Sequence, residues 1–278
     1  MNGPSAPAEA AALPPTLFSL GGRRGGGCVV FCPDFGGNVM YARQLVRLLA
    51  PDLHCIGARP TKSLIEEPDG VDIGRLGEAF ATDIDRAGLA SPIHVVGFSF
   101  GGFVAFETAR HLAALGVHGV HLWIADTQVH RMFAHRYLLR GWRRELRYAV
   151  RFIVQNRRRL FAGTADPDVL HRYGALRFNL SDHPVTYRTV IRLMYDALAR
   201  YRPQPWAGTA TVFRARHGDA WPHVPDDLGW SHLIEGDLKA LVVDADHLGL
   251  VHEASAAAKV AGLIQSRQPI LERRMHDD

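Results

Sequence analysis

Residues Ile93–Leu112 read IHVVGFSFGGFVAFETARHL, and this stretch decides the fold. Its opening, Ile93–Val96, is an apolar run of the kind that forms a buried strand. From Gly102 to Leu115 the pattern changes to helical spacing, with Val104, Ala105, Ala109, Leu112 and Ala113 on one stripe. Between them lies Gly97-Phe98-Ser99-Phe100-Gly101, a Gly-x-Ser-x-Gly pattern. Alone, so short a pattern arises by chance; set between a strand and a helix it has a mechanical meaning. A sharp strand-to-helix turn forces the serine into a strained conformation, and the flanking glycines avoid clashes that any side chain would make. The turn lifts the Ser99 hydroxyl to a helix N-terminus, where backbone N–H groups favour developing negative charge. Ser99 is the candidate nucleophile.

Working outward, short apolar runs recur at Thr16–Leu20, Cys28–Phe31, Leu53–Ile56, Val120–Ala125, Ala210–Arg214 and Ala240–Val243. Gly21–Gly27 reads as a hairpin-type turn between the first two. Amphipathic stretches at Val39–Leu49 and Leu248–Ile264 join the helix after Ser99. Strands alternating with helices of this length predict a mainly parallel sheet with helices on both faces, an α/β fold. The rhythm breaks between Trp142 and Leu198, which is helical in pattern and holds no good strand. We read it as a helical lid inserted between strands, spanning about residues 131–202. Residues 1–15, rich in Ala and Pro, read as a disordered lead-in, 16–265 as the domain and 266–278 as a tail.

Composition narrows the classes. The chain has 278 residues, 47% hydrophobic and 22% charged, with mean hydropathy −0.05, which excludes disordered, collagen-like and coiled-coil proteins. No apolar run reaches the roughly 18 residues of a membrane helix. The first fifteen residues carry Glu9 but no Lys or Arg, which argues against a secretory signal. Cys28, Cys32 and Cys55 are an odd set without a C-x-x-C spacing, so reduced thiols in a cytoplasmic protein are expected. His118 and His121 have no companions at metal-ligand spacing, and no metal is expected.

Net charge is +4, but residues 131–202 hold sixteen arginines, no lysine and five acidic residues, an excess of +11 that leaves −7 elsewhere. The segment has no nucleic-acid recognition motif and no interleaved aromatic platforms, so nucleic acid is not the expected partner. An acidic protein is the alternative to plain solvation of a helix face.

Four segments carry a family resemblance. GFSFGGFVAFETARHL (97–112) resembles the nucleophile elbow of thioesterase domains that end polyketide and nonribosomal peptide assembly lines. FCPDFGGNVMYARQLVRLL (31–49) resembles their Pro-x-x-Gly-Gly loop and following helix, YRPQPWAGTATVFR (201–214) the return to the sheet after the lid, and VVDADHLGL (242–250) the histidine loop. The likeness covers roughly residues 16–265 apart from the lid. It implies an α/β-hydrolase fold and a free-standing serine thioesterase with no cofactor of its own. The phosphopantetheine arm would belong to a partner acyl or peptidyl carrier protein, and the carrier is the candidate acidic partner of the Arg-rich lid. The acyl or peptidyl chain would leave by hydrolysis or cyclisation.

His247 follows the last strand at the carboxyl edge where Ser99 lies, and it is the histidine of the family motif. Asp126, at the end of Val120–Ala125, is the acid the resemblance implies. Asp219 is the alternative, because many hydrolases place their acid one strand later, and Asp246 reads as a loop-shaping residue. The two oxyanion donors would be the backbone N–H groups of Phe100 and Asp34. Asp34 departs from the resemblance, which puts a small or apolar residue there. Its carboxylate would oppose an oxyanion unless it turned away, and it could bias which nucleophile meets the acyl-enzyme. A carboxylesterase or an acyltransferase would share the triad, and a non-catalytic hydrolase-fold binder need not keep it.

Overall fold

The computed structural model of the protein describes residues 12–23, 25–66, 70–129, 146, 150, 154, 184–218, 220 and 223–267. Seven strands form one sheet: β1 (Leu17–Gly21), β2 (Cys28–Phe31), β3 (His54–Ala58), β4 (Ile93–Phe98), β5 (Val120–Ala125), β6 (Ala210–Ala215) and β7 (Leu238–Val243). Their spatial order is β1-β3-β2-β4-β5-β6-β7, parallel except for β1. β1 pairs antiparallel with β3, so the glycine-rich turn does not close the expected hairpin with β2. That turn instead carries the chain past β3, and β2 enters the sheet centre.

Each central strand buries both faces. Val30, Val95, Leu122, Ile124 and Val212 point into one apolar layer; Val29, Phe31, Val96, Trp123 and Phe213 point into the other. The two-residue period of a strand sorts them, and because helices cover both sides, the runs read as continuously apolar. Helix α1 (Arg43–Leu49) covers one face, preceded by a 3₁₀ turn at Met40–Ala42. A short helix, α2 (Lys62–Ile65), follows β3. α3 (Ile73–Arg86) and α4 (Gly101–Ala114) lie on the other face.

α3 was not anticipated. It starts at Asp72, whose carboxylate accepts the Arg75 N–H at 2.9 Å, and it buries Ile73, Leu76, Phe80 and Ile84. Gly77 in its middle lets α4 come close: a Cβ there would stand 2.8 Å from the Thr108 nitrogen. The final helical stretch is two helices, α6 (Gly249–His252) and α7 (Ala254–Ser266), because Glu253 is extended, with ψ 131°.

Part of the expected lid is described as α5 (Val185–Arg200). Its end is fixed to α4. The Tyr201 hydroxyl donates to the Glu107 carboxylate at 2.6 Å, the Tyr201 ring meets Phe103 edge-on, and Arg200 donates to the Val71 carbonyl at 2.9 Å. Glu107 is also paired with Arg110 at 2.7 Å, so this buried carboxylate is satisfied on both sides. The lid residues Arg157, Arg158 and Arg159, most of the lead-in and residues 268–278 lie outside the described residues. Leu13 packs against the core. Among the described residues no helix is long and apolar enough to cross a membrane.

Candidate active site

Ser99 sits between β4 and α4 with φ +53°, in the left-handed region that side chains avoid. The turn has no room to relax. A Cβ on Gly97 would overlap the Gly101 backbone, and one on Gly101 would stand 2.9 Å from the Pro33 carbonyl oxygen. The Ser99 N–H donates to the Ala125 carbonyl at 2.9 Å, which joins the turn to the end of β5.

Asp126 follows Ala125, also left-handed with φ +50°, and is buried. Its N–H donates to the Phe213 carbonyl at 2.8 Å. One carboxylate oxygen, Oδ1, accepts the Ala215 N–H at 3.0 Å; the other, Oδ2, lies 2.7 Å from Nδ1 of His247. A carboxylate only accepts, so this contact favours the tautomer with the hydrogen on His247 Nδ1, in which the neutral ring keeps its lone pair on Nε2. The imidazole stacks on Phe98, the residue before Ser99, with centroids 4.7 Å apart. The structure therefore brings Asp126 and His247 into contact at the sheet edge where Ser99 stands. Space beside the carboxylate is tight, since a Cβ on Gly218 would come 2.9 Å from Asp126 Oδ2. Asp219 lies outside the described residues. Asp246 accepts the Gly249 N–H at 2.6 Å and shapes the turn into α6.

The Pro33–Asn38 loop, which follows β2, lies against Phe100 and Gly101 of the serine turn. Phe100 occupies the N-terminal position of α4, where a helix presents its positive end. Asp34 differs from expectation. Its N–H donates to the Asn38 carbonyl at 2.9 Å, so in this geometry that amide is already engaged. Its carboxylate accepts the Gly36 N–H at 2.8 Å, an Asx-type turn that directs it into its own loop. Burial raises the Asp34 pKa, against the lowering effect of bonds from Gly36 and Asn38.

Four side chains not anticipated from the sequence complete the surroundings. Phe35 stacks on Tyr195 of α5 at 3.8 Å and leans on Phe100 at 4.6 Å, joining the lid helix to the serine turn. Tyr187, also on α5, has its pKa raised by burial and by the charge of Asp34. Thr127 donates its hydroxyl to the Ser99 carbonyl at 2.6 Å. Tyr187 and Tyr195 were visible only as positions of a helical pattern, Phe35 only as part of the Pro-x-x-Gly-Gly loop, and nothing in the local sequence marks Thr127.

Two other histidines, His94 and His121, are buried in the sheet. His94 and His121 pair across β4 and β5 near their amino ends, away from Ser99. The Trp123 indole donates to His94 at 3.1 Å, and His121 Nε2 bonds Thr211 at 2.9 Å. Burial first, then the charge of Arg267, lowers His94 to about 4 and His121 to about 3. Among the described residues no group of three or more His, Cys, Asp or Glu could hold a metal ion.

A parallel sheet flanked by helices, a strained serine between strand and helix, and an Asp–His pair at the same edge define an α/β-hydrolase fold. A profile of the Thioesterase domain family matches residues 28–267, and the chain belongs to that family, whose members are hydrolases acting on thioesters. The fold is shared with solved structures. A four-domain nonribosomal peptide synthetase, holo-AB3403 bound to AMP and glycine, matches with TM-score 0.63 at 21% identity over 92% of this chain. This chain spans 20% of that synthetase. The type II thioesterase BorB from the borrelidin biosynthetic cluster matches with TM-score 0.60 at 19% identity, covering 90% of this chain and 94% of its own. The Vlm2 thioesterase domain bound with a dodecadepsipeptide matches with TM-score 0.57 at 21% identity, covering 91% and 98%. A search of curated protein sequences found no match.

Proposed function

We propose that this thioesterase takes an acyl or peptidyl chain from the phosphopantetheine thioester of a carrier protein onto Ser99 and then releases it. The observation that carries the reading is the 2.7 Å contact between His247 Nδ1 and buried Asp126, beside a serine held at φ +53°.

The steps follow from that arrangement. A serine hydroxyl attacks only as a base takes its proton, and the Nε2 lone pair of His247 is that base. Ser99 Oγ bonds to the thioester carbonyl carbon, and the carbonyl π pair moves to oxygen. As the tetrahedral species collapses, the carbon–sulfur bond breaks and imidazolium returns the proton to the pantetheine sulfur. Asp126 keeps the ring in one tautomer and stabilises its charged form. Water, or a hydroxyl or amine of the chain itself, then attacks the acyl-Ser99 ester by the same proton route, giving acid, lactone or lactam.

The oxyanion is assigned to the Phe100 N–H at the start of α4. The Asp34 N–H joins it only by turning from the Asn38 carbonyl, which makes the second donor a feature of the acylated or substrate-bound loop. Three buried, unpaired thiols support a cytoplasmic location: burial pushes Cys28 and Cys32 to about 12 and Cys55 to about 11. The +11 excess of residues 131–202 supports an acidic carrier as partner.

The test is turnover of an acyl-loaded carrier protein by wild type and Ser99→Ala, with products weighed by mass spectrometry. Ser99-dependent loss of the acyl group supports the reading, and the product mass separates acid from ring. Cleavage of oxygen esters with an intact carrier thioester would overturn it.

A further inference from the structure

Ser99 and Asp126, the two left-handed residues of the site, belong to different strand ends 27 positions apart in the chain. A working hydrolase needs them in register to within a fraction of an ångström. One backbone bond, from the Ser99 N–H to the Ala125 carbonyl, already links the two turns. A second link runs the other way through a side chain. Thr127, buried at 1% exposure, donates its hydroxyl to the Ser99 carbonyl at 2.6 Å.

That carbonyl is shared. It also accepts the Gly102 N–H at 3.1 Å, the first bond of the turn into α4. Thr127 is itself anchored: the indole N–H of Trp230 donates to its carbonyl at 2.9 Å. Trp230 is buried among Phe103 and Phe106 of α4, with ring centroids 5.9 and 5.4 Å away. Gly102 makes room for the arrangement, since a Cβ there would overlap the Thr127 hydroxyl and stand 2.7 Å from its Cβ. So the last glycine of the Gly97–Gly102 run is accounted for by Thr127 and not by the serine.

We propose that Thr127 is a positioning residue for the reaction. Its hydroxyl clamps the Ser99 peptide to the segment that carries Asp126, holding the nucleophile and the adjoining Phe100 N–H in line with the Asp126–His247 pair. The inference rests on the functional reading above and adds a residue that does not touch the substrate. A buried group of this kind acts on the chemical step and leaves substrate affinity alone.

Two pairs of variants isolate the hydroxyl. Thr127→Val removes it from the native side chain at constant shape, and Thr127→Ala removes it relative to Thr127→Ser. Each is assayed for kcat and KM on a small acyl thioester and for the rate of Ser99 labelling by an alkyl fluorophosphonate. Denaturant midpoints are measured alongside. Losing one well-aligned hydrogen bond should lower kcat and the labelling rate about tenfold in both pairs, with KM unchanged and Thr127→Ser near wild type.

Equal rates within both pairs would overturn the inference, as would a rise in KM at constant kcat. So would a loss of rate that tracks the denaturant midpoint and is not restored by Thr127→Ser. If Thr127→Val does not fold, the Ser and Ala variants decide. The labelling step needs only an activated serine, so labelling without thioester turnover would sink the thioesterase reading while this inference is still decided. Wild type that neither labels at Ser99 nor turns over would sink both.

Discussion

Asp126 Oδ2 and His247 Nδ1 lie 2.7 Å apart, while Oδ1 of the same carboxylate is held by the Ala215 N–H at 3.0 Å. Both oxygens are thus spoken for, one by the ring it orients and one by the end of β6. The carboxylate cannot swing without giving up a bond in a buried setting, and this fixes which nitrogen of His247 carries the hydrogen.

Replacing that carboxylate with an amide should therefore be severe. Asp126→Asn keeps the shape but can present an N–H to Nδ1, which favours the wrong tautomer. We expect kcat to fall by about three to four orders of magnitude with the fold intact. Steady-state turnover of a small acyl thioester and a circular dichroism melt check this; loss of less than about tenfold would assign the acid elsewhere, with Asp219 the next to replace.

Asp34 separates a structural from a chemical role. Its carboxylate closes the loop by accepting the Gly36 N–H at 2.8 Å, so Asp34→Ala should cost about 1 kcal/mol of stability while Asp34→Asn recovers most of it. If the carboxylate also biases the acyl-enzyme toward one nucleophile, both variants change the ratio of acid to cyclised product equally. An unchanged rate and ratio would confine Asp34 to loop closure.

Stability should fall on acidification through a pair of residues far from the chemistry. His94 and His121 are lowered from 6.5 to about 4 and about 3 by burial and by Arg267, so the folded state holds them neutral. A depressed histidine pKa means that the unfolded chain takes up protons first. Their contribution is complete above pH 6.5 and is lost progressively as pH falls through the folded-state values. The urea midpoint of wild type should drop steadily between about pH 6.5 and 4, and the double variant His94→Gln, His121→Gln should show a shallower slope. Parallel slopes would remove the two histidines from the account.

Docking on the Arg-rich segment has a distinct kinetic signature. Arg157→Glu, Arg158→Glu and Arg159→Glu together should raise KM for a carrier-bound substrate about tenfold or more and leave a free small thioester untouched. An equal rise for both substrates would rule out a docking role, because docking contributes nothing to the small one.

The strands were legible because each is a short apolar run bounded by turn residues, and all seven candidate runs became strands within a few positions. Pairing was not. Nothing in Gly21–Gly27 says that β1 turns to β3, since that choice depends on which edge the rest of the sheet leaves open. α3 was hidden by Gly74 and Gly77, which lower helix propensity locally, and Gly77 is there for the approach of Glu107. At the site, the serine turn could be read because its constraint is local. The Asp126–His247 contact could be anticipated only from the order of strand ends and the family likeness. Thr127 reaches Ser99 across 28 positions, and no local pattern encodes a bond of that span. The engagement of the Asp34 N–H by Asn38 likewise belongs to loop geometry, not to residue type.

The bond from Tyr201 to Glu107 has a consequence for how this scaffold can diversify. The described chain is held at Thr127 by Ser99 and Trp230, and after the lid helix it is bonded through Tyr201 to Glu107 of α4, the helix that begins at the nucleophile. Entry and exit are thus moored to the same rigid body. Neither anchor draws on the sequence between residues 130 and 183, so changes there leave both bonds to the catalytic body as they are. Exchanging residues 131–183 for those of a relative, and keeping Val185–Tyr201 with its contacts, is the graft this mooring favours.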